Sequence, residues 1–298
     1  MVVEFARDKV VRVDFFAVPE NDVVLPPLSS KVVKNLILTG EVLPSLSALV
    51  QSGAKNKPLF ISNMGVKGKR LLSTGGKPKA VKAGESLDFY VSFPYYDGFF
   101  TEVHAGFFDT PYGKFYVYPV ATHIVDLTEL GGVDVRGKNF LVGFKTPTLL
   151  SSKVLLPPAL REKYKGVNAG YTLIPSVGLV LSYAYRTFRA LTGDTSNVEY
   201  DVKAYKLGVL GNALSKVVGY DLRPETVVIG RDDKGRVRAT RGFVGWVEFD
   251  ISDKRLKRAV SKYLLVASLL GVGKSRGIGL GEVVLTLRDP KRVGGTGA

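Results

Sequence analysis

Near the C-terminus, Gly271-Val272-Gly273-Lys274-Ser275-Arg276-Gly277-Ile278-Gly279-Leu280-Gly281 places five glycines within eleven residues. Glycine admits positive φ and lets the backbone come close to a ligand. Successive amides in such a segment form a nest for an anion, and Lys274 and Arg276 add two full positive charges beside it. That combination suits a phosphodiester chain; the plain alternative is a flexible turn from a helix into a strand. Two nucleotide loops are excluded. A P-loop, Gly-x4-Gly-Lys-Ser, would need glycine at position 268, where Ser268 stands, and would lead from a strand into a helix. A dinucleotide fingerprint would need glycine or alanine at Arg276.

A second set of candidate groups is cationic. Arg231, Arg236, Arg238 and Arg241 surround Asp233-Lys234-Gly235, a hairpin turn signal. Arg236 and Arg238 are two apart, so on a strand their charges point the same way. Lys67, Lys69, Arg70, Lys77, Lys79 and Lys82 crowd another loop. Both sets read either as solvated surface, with a strand edge guarded against pairing, or as a phosphate-contacting face. Lys and Arg number 42 against 27 Asp and Glu in 298 residues, a formal charge of +15. An excess that large attracts polyanions, nucleic acid or an anionic membrane; a basic chain can equally be no more than soluble. Cysteine is absent, which excludes disulfides and thiolate metal sites. The two histidines, His104 and His123, stand far apart in sequence without neighbouring ligand partners, so no metal site is expected. Tyr171 to Leu191, the longest apolar-leaning run, is interrupted by Arg186 and Arg189 and does not read as a membrane span. Met1 to Lys9 lacks the apolar core of a signal peptide. The expectation is a cytoplasmic protein with no membrane partner.

Hydrophobic periodicity supplies the elements that must position these groups. In the first half it predicts strands over Lys9–Val18, Leu59–Met64, Leu87–Phe93 and Lys114–Leu127. Helices are predicted over Leu28–Leu38, with Ser29 or Ser30 as N-cap, over Ser45–Gln51, and over Tyr95–Phe108. The resulting order, strand, helix, strand, strand, helix, strand, is ferredoxin-like. After Gly131-Gly132 the second half repeats it. Strands are expected at Phe140–Thr146, Val227–Ile229, Arg236–Phe249 and Glu282–Leu287, and helices at Pro175–Leu191, Val198–Val217 and Lys254–Leu270. The fold class is therefore α+β, two tandem ferredoxin-like (RRM-like) domains over residues 1–130 and 131–288. The second carries the glycine-rich loop, and a basic tail, 289–298, is expected to be disordered.

The pair Gly271-Val272-Gly273 and Gly279-Leu280-Gly281, five residues apart and just before a final strand, resembles the C-terminal signature of the CRISPR-associated repeat-RNA endoribonucleases. Phe144-Lys145-Thr146-Pro147-Thr148, Ile174-Pro175-Ser176 and Gly242-Phe243-Val244-Gly245-Trp246 resemble that family as well. The resemblance implies cleavage without metal or cofactor: the ribose 2′-hydroxyl attacks the adjacent phosphate, leaving a 2′,3′-cyclic phosphate and a 5′-hydroxyl. Such a reaction needs a base near the 2′-oxygen, an acid at the leaving oxygen and cations for the transition state. Many family members carry a tyrosine on the first helix and a histidine soon after it. Here Lys34 stands at the tyrosine position, and Val50-Gln51-Ser52 holds no histidine. Three readings stay open. Lysines serve instead, with Lys31 and Lys34 on one helix face, Lys57 before Pro58 and Arg231 assisting; His104 or His123 is recruited; or catalysis is lost. Without the resemblance the lysines read as a solvated helix face. The implied RNA-binding set is Gly271, Gly273, Lys274, Ser275, Arg276, Gly279, Gly281, Arg236 and Arg238, and Tyr95, Tyr96 and Phe99 are candidates for stacking on bases. The implied partner is CRISPR repeat RNA, with other effector subunits or a second copy of the chain also open. The alternative function is a non-catalytic RNA-binding subunit of a CRISPR effector complex.

Overall fold

A computed structural model describes residues 3–54, 56–74, 77–193 and 198–290. The first sheet is built from β1 (Lys9–Pro19), β2 (Phe60–Ile61), β3 (Leu87–Pro94), β4 (Gly106–Thr110) and β5 (Gly113–Asp126). The short segments Gly65–Val66 and Lys69–Arg70 extend its edge beside β3. β1 alternates with period two: Val11, Val13, Phe15 and Ala17 enter the core, while Arg12, Asp14 and Phe16 are half-buried on the other face. α1 (Ser30–Leu38) packs its Val32, Val33, Leu36 and Ile37 into that core, which leaves Lys31 and Lys34 on its outward side.

The helix predicted over Tyr95–Phe108 does not form. Gly98, at φ +85°, opens a single 3₁₀ turn over Phe99–Glu102, and the chain then enters β4. Tyr96 and Phe99 are buried against Phe93, and Tyr95 packs edge-on to Phe99, so these rings build the core and are not set out for bases.

The second sheet comprises β6 (Asn139–Thr148), β7 (Ser215–Arg231), β8 (Val237–Ile251) and β9 (Val283–Arg288). Its long helices are α2 (Val177–Leu191), α3 (Val198–Leu214) and α4 (Lys254–Leu270). α3 stops three residues before its predicted end, and Ser215 starts a long strand there. Gly208 and Gly211, which weaken the helical pattern of α3, lie where α2 touches it; a Cβ on Gly178 would collide with the Gly208 carbonyl. α4 has its predicted bounds. The Asp253 carboxylate accepts from the Leu256 N–H (2.7 Å) at its start, and Gly271 at φ +72° ends it. Arg288 closes β9 as part of the strand, and the expected tail lies outside the described residues from 291 onward.

Both sheets are antiparallel and share one strand order. The first strand (β1, β6) lies between the third (β3, β8) and the last (β5, β9), and the second (β2, β7) pairs outside the third. Two apolar clusters join the halves: Val10 and Leu127 meet Leu191, Val266 and Leu270, and Leu28 and Leu72 meet Leu149, Val227 and Leu280. An ionic cluster joins them too. The Arg70 guanidinium lies 2.7 Å from Asp88 and 2.8 Å from Glu282, and the Tyr90 hydroxyl donates to Glu282 (3.2 Å). Burial alone would lower the Arg70 pKa; the hydrogen bond and charge of Glu282 override it and raise it. Arg70 is thus withdrawn from the basic loop in which sequence places it. Among the described residues no helix is long and apolar enough to cross a membrane.

Candidate active site

The loop that follows α4 runs back across the first half of the chain, and the two enclose a cleft of about 240 Å³. Lys34, Val50, Ala54, Lys57 and Leu59 line one lip; Gly273, Ser275, Arg276, Gly277 and Ile278 line the other. Lys34 and Lys57 of the predicted lysine set therefore face Gly273, Ser275 and Gly277 of the predicted glycine loop, while Lys31 does not line the cleft.

On the first lip, α1 supplies Lys31 and Lys34 one turn apart, and the segment leading to β2 supplies Lys57. The Lys57 ammonium donates to the Val50 carbonyl (2.6 Å), which holds it across the mouth of the short helix Ser47–Gln51. Burial, with Lys34 nearby, lowers the pKa of Lys57. Burial, then Lys34 and Arg238, lower that of Lys31. Lys34 is thus the common neighbour of the other two lysines, and the four cations form one electrostatic cluster. Like charges gathered around a half-buried space favour an anionic ligand.

The second lip divides by depth. Gly271, Gly279 and Gly281 are buried, and their glycine identity answers close approach. A Cβ on Gly271 would sit 2.6 Å from the Phe60 ring, and one on Gly279 would lie 2.8 Å from the Asn63 backbone nitrogen. Gly271 and Gly279 therefore seat the loop on the first half, Gly281 closes it against Val272, and the three do not form an open nest. Arg276, expected at a phosphate, also turns inward. It is only 6% exposed and donates to the carbonyls of Leu270 (2.9 Å) and Lys57 (2.7 Å). Burial pulls its pKa down to about 10, still high enough for the guanidinium to be charged at pH 7. The outer residues stay accessible. Gly273 and Ser275 are half-buried at the cleft, Ser275 in the left-handed region at φ +65°, and Lys274 is exposed with its ammonium 5.2 Å from the Tyr171 ring centre.

The hairpin arginines also separate. Arg231 donates to the Gly235 carbonyl (2.9 Å) and Arg236 pairs with Asp232 (2.8 Å), so both are engaged in the turn itself. Arg236 precedes β8 and does not share a strand face with Arg238. A register shift between Val228 and Gly230 sets Gly230 opposite Arg238. A Cβ on Gly230 would lie 2.9 Å from the Lys31 ammonium, which puts the hairpin's β7 strand against α1 and Arg238 within electrostatic reach of Lys31. Arg238, read from sequence as a binding residue, joins the cluster in the place expected for Arg231. Neither histidine lines the cleft: His123 lies 3.5 Å from Asp14 on the first sheet, and His104 packs against Phe108.

Several residues that seat the site escape sequence reading. The Ser30 hydroxyl donates to the Ile278 carbonyl (2.7 Å). The Asn63 side-chain amide donates to the Gly279 carbonyl (2.8 Å), while its oxygen accepts from the Ser30 N–H (3.2 Å). The Phe144–Thr148 motif offered one signal. The Thr146 hydroxyl accepts from the Glu282 N–H (2.9 Å) and the Pro147 carbonyl from the Gly281 N–H (3.2 Å), so this strand end is where the glycine loop docks.

Comparison with known proteins identifies the family and the fold. Residues 11–125 match the Cas6 N-terminal domain, and residues 142–283 match the CRISPR-associated endoribonuclease Cas6 family. Two proteins of Saccharolobus solfataricus, CRISPR-associated endoribonucleases Cas6 1 and Cas6 2, are 46% and 45% identical to the chain. The matches cover 93% and 94% of this chain and 96% of each relative. Among solved structures, Thermus thermophilus Cas6 superposes with a TM-score of 0.58 at 16% identity, and a Cas6 product complex with 0.62 at 18%. Each alignment covers 94% of this chain and 100% of the other, a likeness of fold. The chain belongs to the CRISPR-associated endoribonuclease Cas6 family.

Proposed function

We propose that the chain binds CRISPR repeat RNA across the cleft and cuts it through the ribose 2′-hydroxyl, with Lys31, Lys34, Lys57 and Arg238 around the scissile phosphate. The 2′-oxygen forms a bond to phosphorus as the bond to the 5′-oxygen breaks. The 2′ proton passes to a base and the 5′-oxygen receives a proton, which yields a 2′,3′-cyclic phosphate and a 5′-hydroxyl. The phosphorane carries extra negative charge, and fixed cations in a partly dry cleft stabilise it more than they stabilise the ground state. Lys34, between the other two lysines, takes the part of charge stabiliser. Lys31 and Lys57, whose pKa values burial and the neighbouring cations lower, are the groups suited to proton transfer. Outside the cleft, Lys274 and the Tyr171 ring offer a charge and a flat face to the flanking RNA.

The observation that carries this reading is the convergence of Lys34 and Lys57 with Gly273 and Ser275 in one cleft. Both lips come from one chain, so a homodimer is not needed to complete the site. We assign the protein to the cytoplasm, where precursor transcripts are made. A repeat RNA carrying a single 2′-deoxy nucleotide at the cut tests the chemistry. Binding should persist and cleavage should vanish; cleavage of the deoxy substrate at the normal position would exclude attack by the 2′-hydroxyl.

A further inference from the structure

Arg276 looks, in sequence, like one of the loop's two phosphate ligands, but its guanidinium holds backbone. One arm donates to Leu270, the last residue of α4, whose carbonyl has no partner within the helix. The other donates to the carbonyl of Lys57. The next residue is Pro58, which has no N–H to give a neighbouring strand, and β2 begins only at Phe60. The segment bearing Lys57 thus joins no strand ladder at this point. The loop meets α1 in the same way: the Ser30 hydroxyl, next to Lys31, donates to the Ile278 carbonyl.

Resting on the lysine reading above, we infer that Arg276 is a positioning residue, which sets Lys57 opposite Lys34 by gripping the Lys57 carbonyl from the end of α4. A planar fork fits this task because one rigid group spans two carbonyls; an ammonium on a flexible stem is a single point. Burying a guanidinium among neutral acceptors is a costly way merely to join two segments. Its placement is better matched to fixing a reacting group, where a displacement of about 1 Å costs about a hundredfold in rate. Arg276 then contributes little to RNA affinity, and the accessible cation of the loop is Lys274.

The test is a double-mutant cycle in single-turnover cleavage of the repeat RNA from the protein's own locus, comparing wild type, Arg276→Met, Lys57→Met and the double variant. Each single change should slow cleavage by about 10- to 100-fold. The double variant should be no slower than Lys57→Met alone, because Arg276 acts only through that lysine. For Arg276→Met, affinity for the 2′-deoxy repeat should stay within about threefold of wild type, with its salt dependence unaltered. Multiplying losses would overturn the inference, and so would a weakened, less salt-sensitive binding, which would make Arg276 a phosphate ligand after all. If Lys57→Met cuts at the wild-type rate, the lysine reading itself fails, and the two failures are distinct. Should Arg276→Met not fold, Arg276→Lys carries the same cycle, keeping the charge but reaching one carbonyl. A rate between those of wild type and Lys57→Met, at wild-type affinity, is then expected, and full wild-type rate would overturn the proposal.

Discussion

The two sheets share a strand order, yet only the second has a long helix in both crossover connections. In the first half a 3₁₀ turn and the edge strand β4 stand where the second helix would lie, and the reactive cations sit on and beside α1. The second half keeps α2, α3 and α4 and sends its chain back as a loop whose inner residues are buried. One half supplies the lysines and the other the frame that holds them. A single helix with one face in the core leaves its outer face open to a ligand, whereas a helix ending on the neighbouring half makes a rigid abutment. Chemistry and positioning can therefore be disturbed separately.

The largest effect is expected on the first lip. Lys34→Ala should slow cleavage by at least about a hundredfold with little change in repeat affinity, measured in single turnover beside a binding titration. An unaltered rate would remove Lys34 from the site. The hairpin gives a sharper contrast. Arg238→Ala should cost roughly tenfold in rate, because its charge acts on Lys31, while Arg231→Ala, engaged within its own turn, should stay within about twofold. Equal losses would mean that the two arginines act together on the RNA.

On the second lip the expected loss is in stability. Gly279→Ala forces a Cβ into Asn63 at φ +77° and should cost about 1–3 kcal/mol in denaturant unfolding. Gly277→Ala, with nothing within 4 Å, should cost far less. Lys274→Ala should weaken binding a few-fold and reduce the slope of log affinity against log salt by about one, since one phosphate contact is lost.

The smallest effect runs the other way. The folded chain lowers the pKa of Lys31 below its unfolded value of 10.5, so folding favours the neutral amine. The penalty is largest where the amine is protonated in both folded and unfolded chain, and it lifts as pH rises through the depressed pKa. Lys31→Met should therefore raise the melting midpoint at pH 7 by about one to a few degrees, a gain that shrinks in alkaline buffer, while cleavage falls. A lower midpoint would mean that Lys31 has a structural partner that outweighs the repulsion.

Much of this was legible in sequence where local physics decides. α4 has its predicted bounds because Asp253 and Gly271 mark its ends, and β1 alternates as its valines and phenylalanines require. The glycine spacing and, through the family resemblance, Lys34 and Lys57 pointed to residues that line one cleft. What was not legible depends on the third dimension. Tyr95–Phe108 carries enough large residues for a helix, but Gly98 turns the chain and the aromatic cluster takes the rings. The β7–β8 register includes a bulge that moves Arg238 into the cluster and leaves Arg231 in the turn. Arg276 and Lys274 lie two apart in one flexible-looking loop, and only packing decides that one turns inward and the other outward.

The most direct measurement is incubation of the purified protein with end-labelled repeat RNA in excess EDTA, reading the chemistry of the product ends. A single cut leaving a 2′,3′-cyclic phosphate and a 5′-hydroxyl is the expected result, and it would establish cleavage by the chain's own side chains. Binding without cutting, or cutting that needs added divalent metal, would contradict it and leave the lysine cluster as an RNA-holding surface alone.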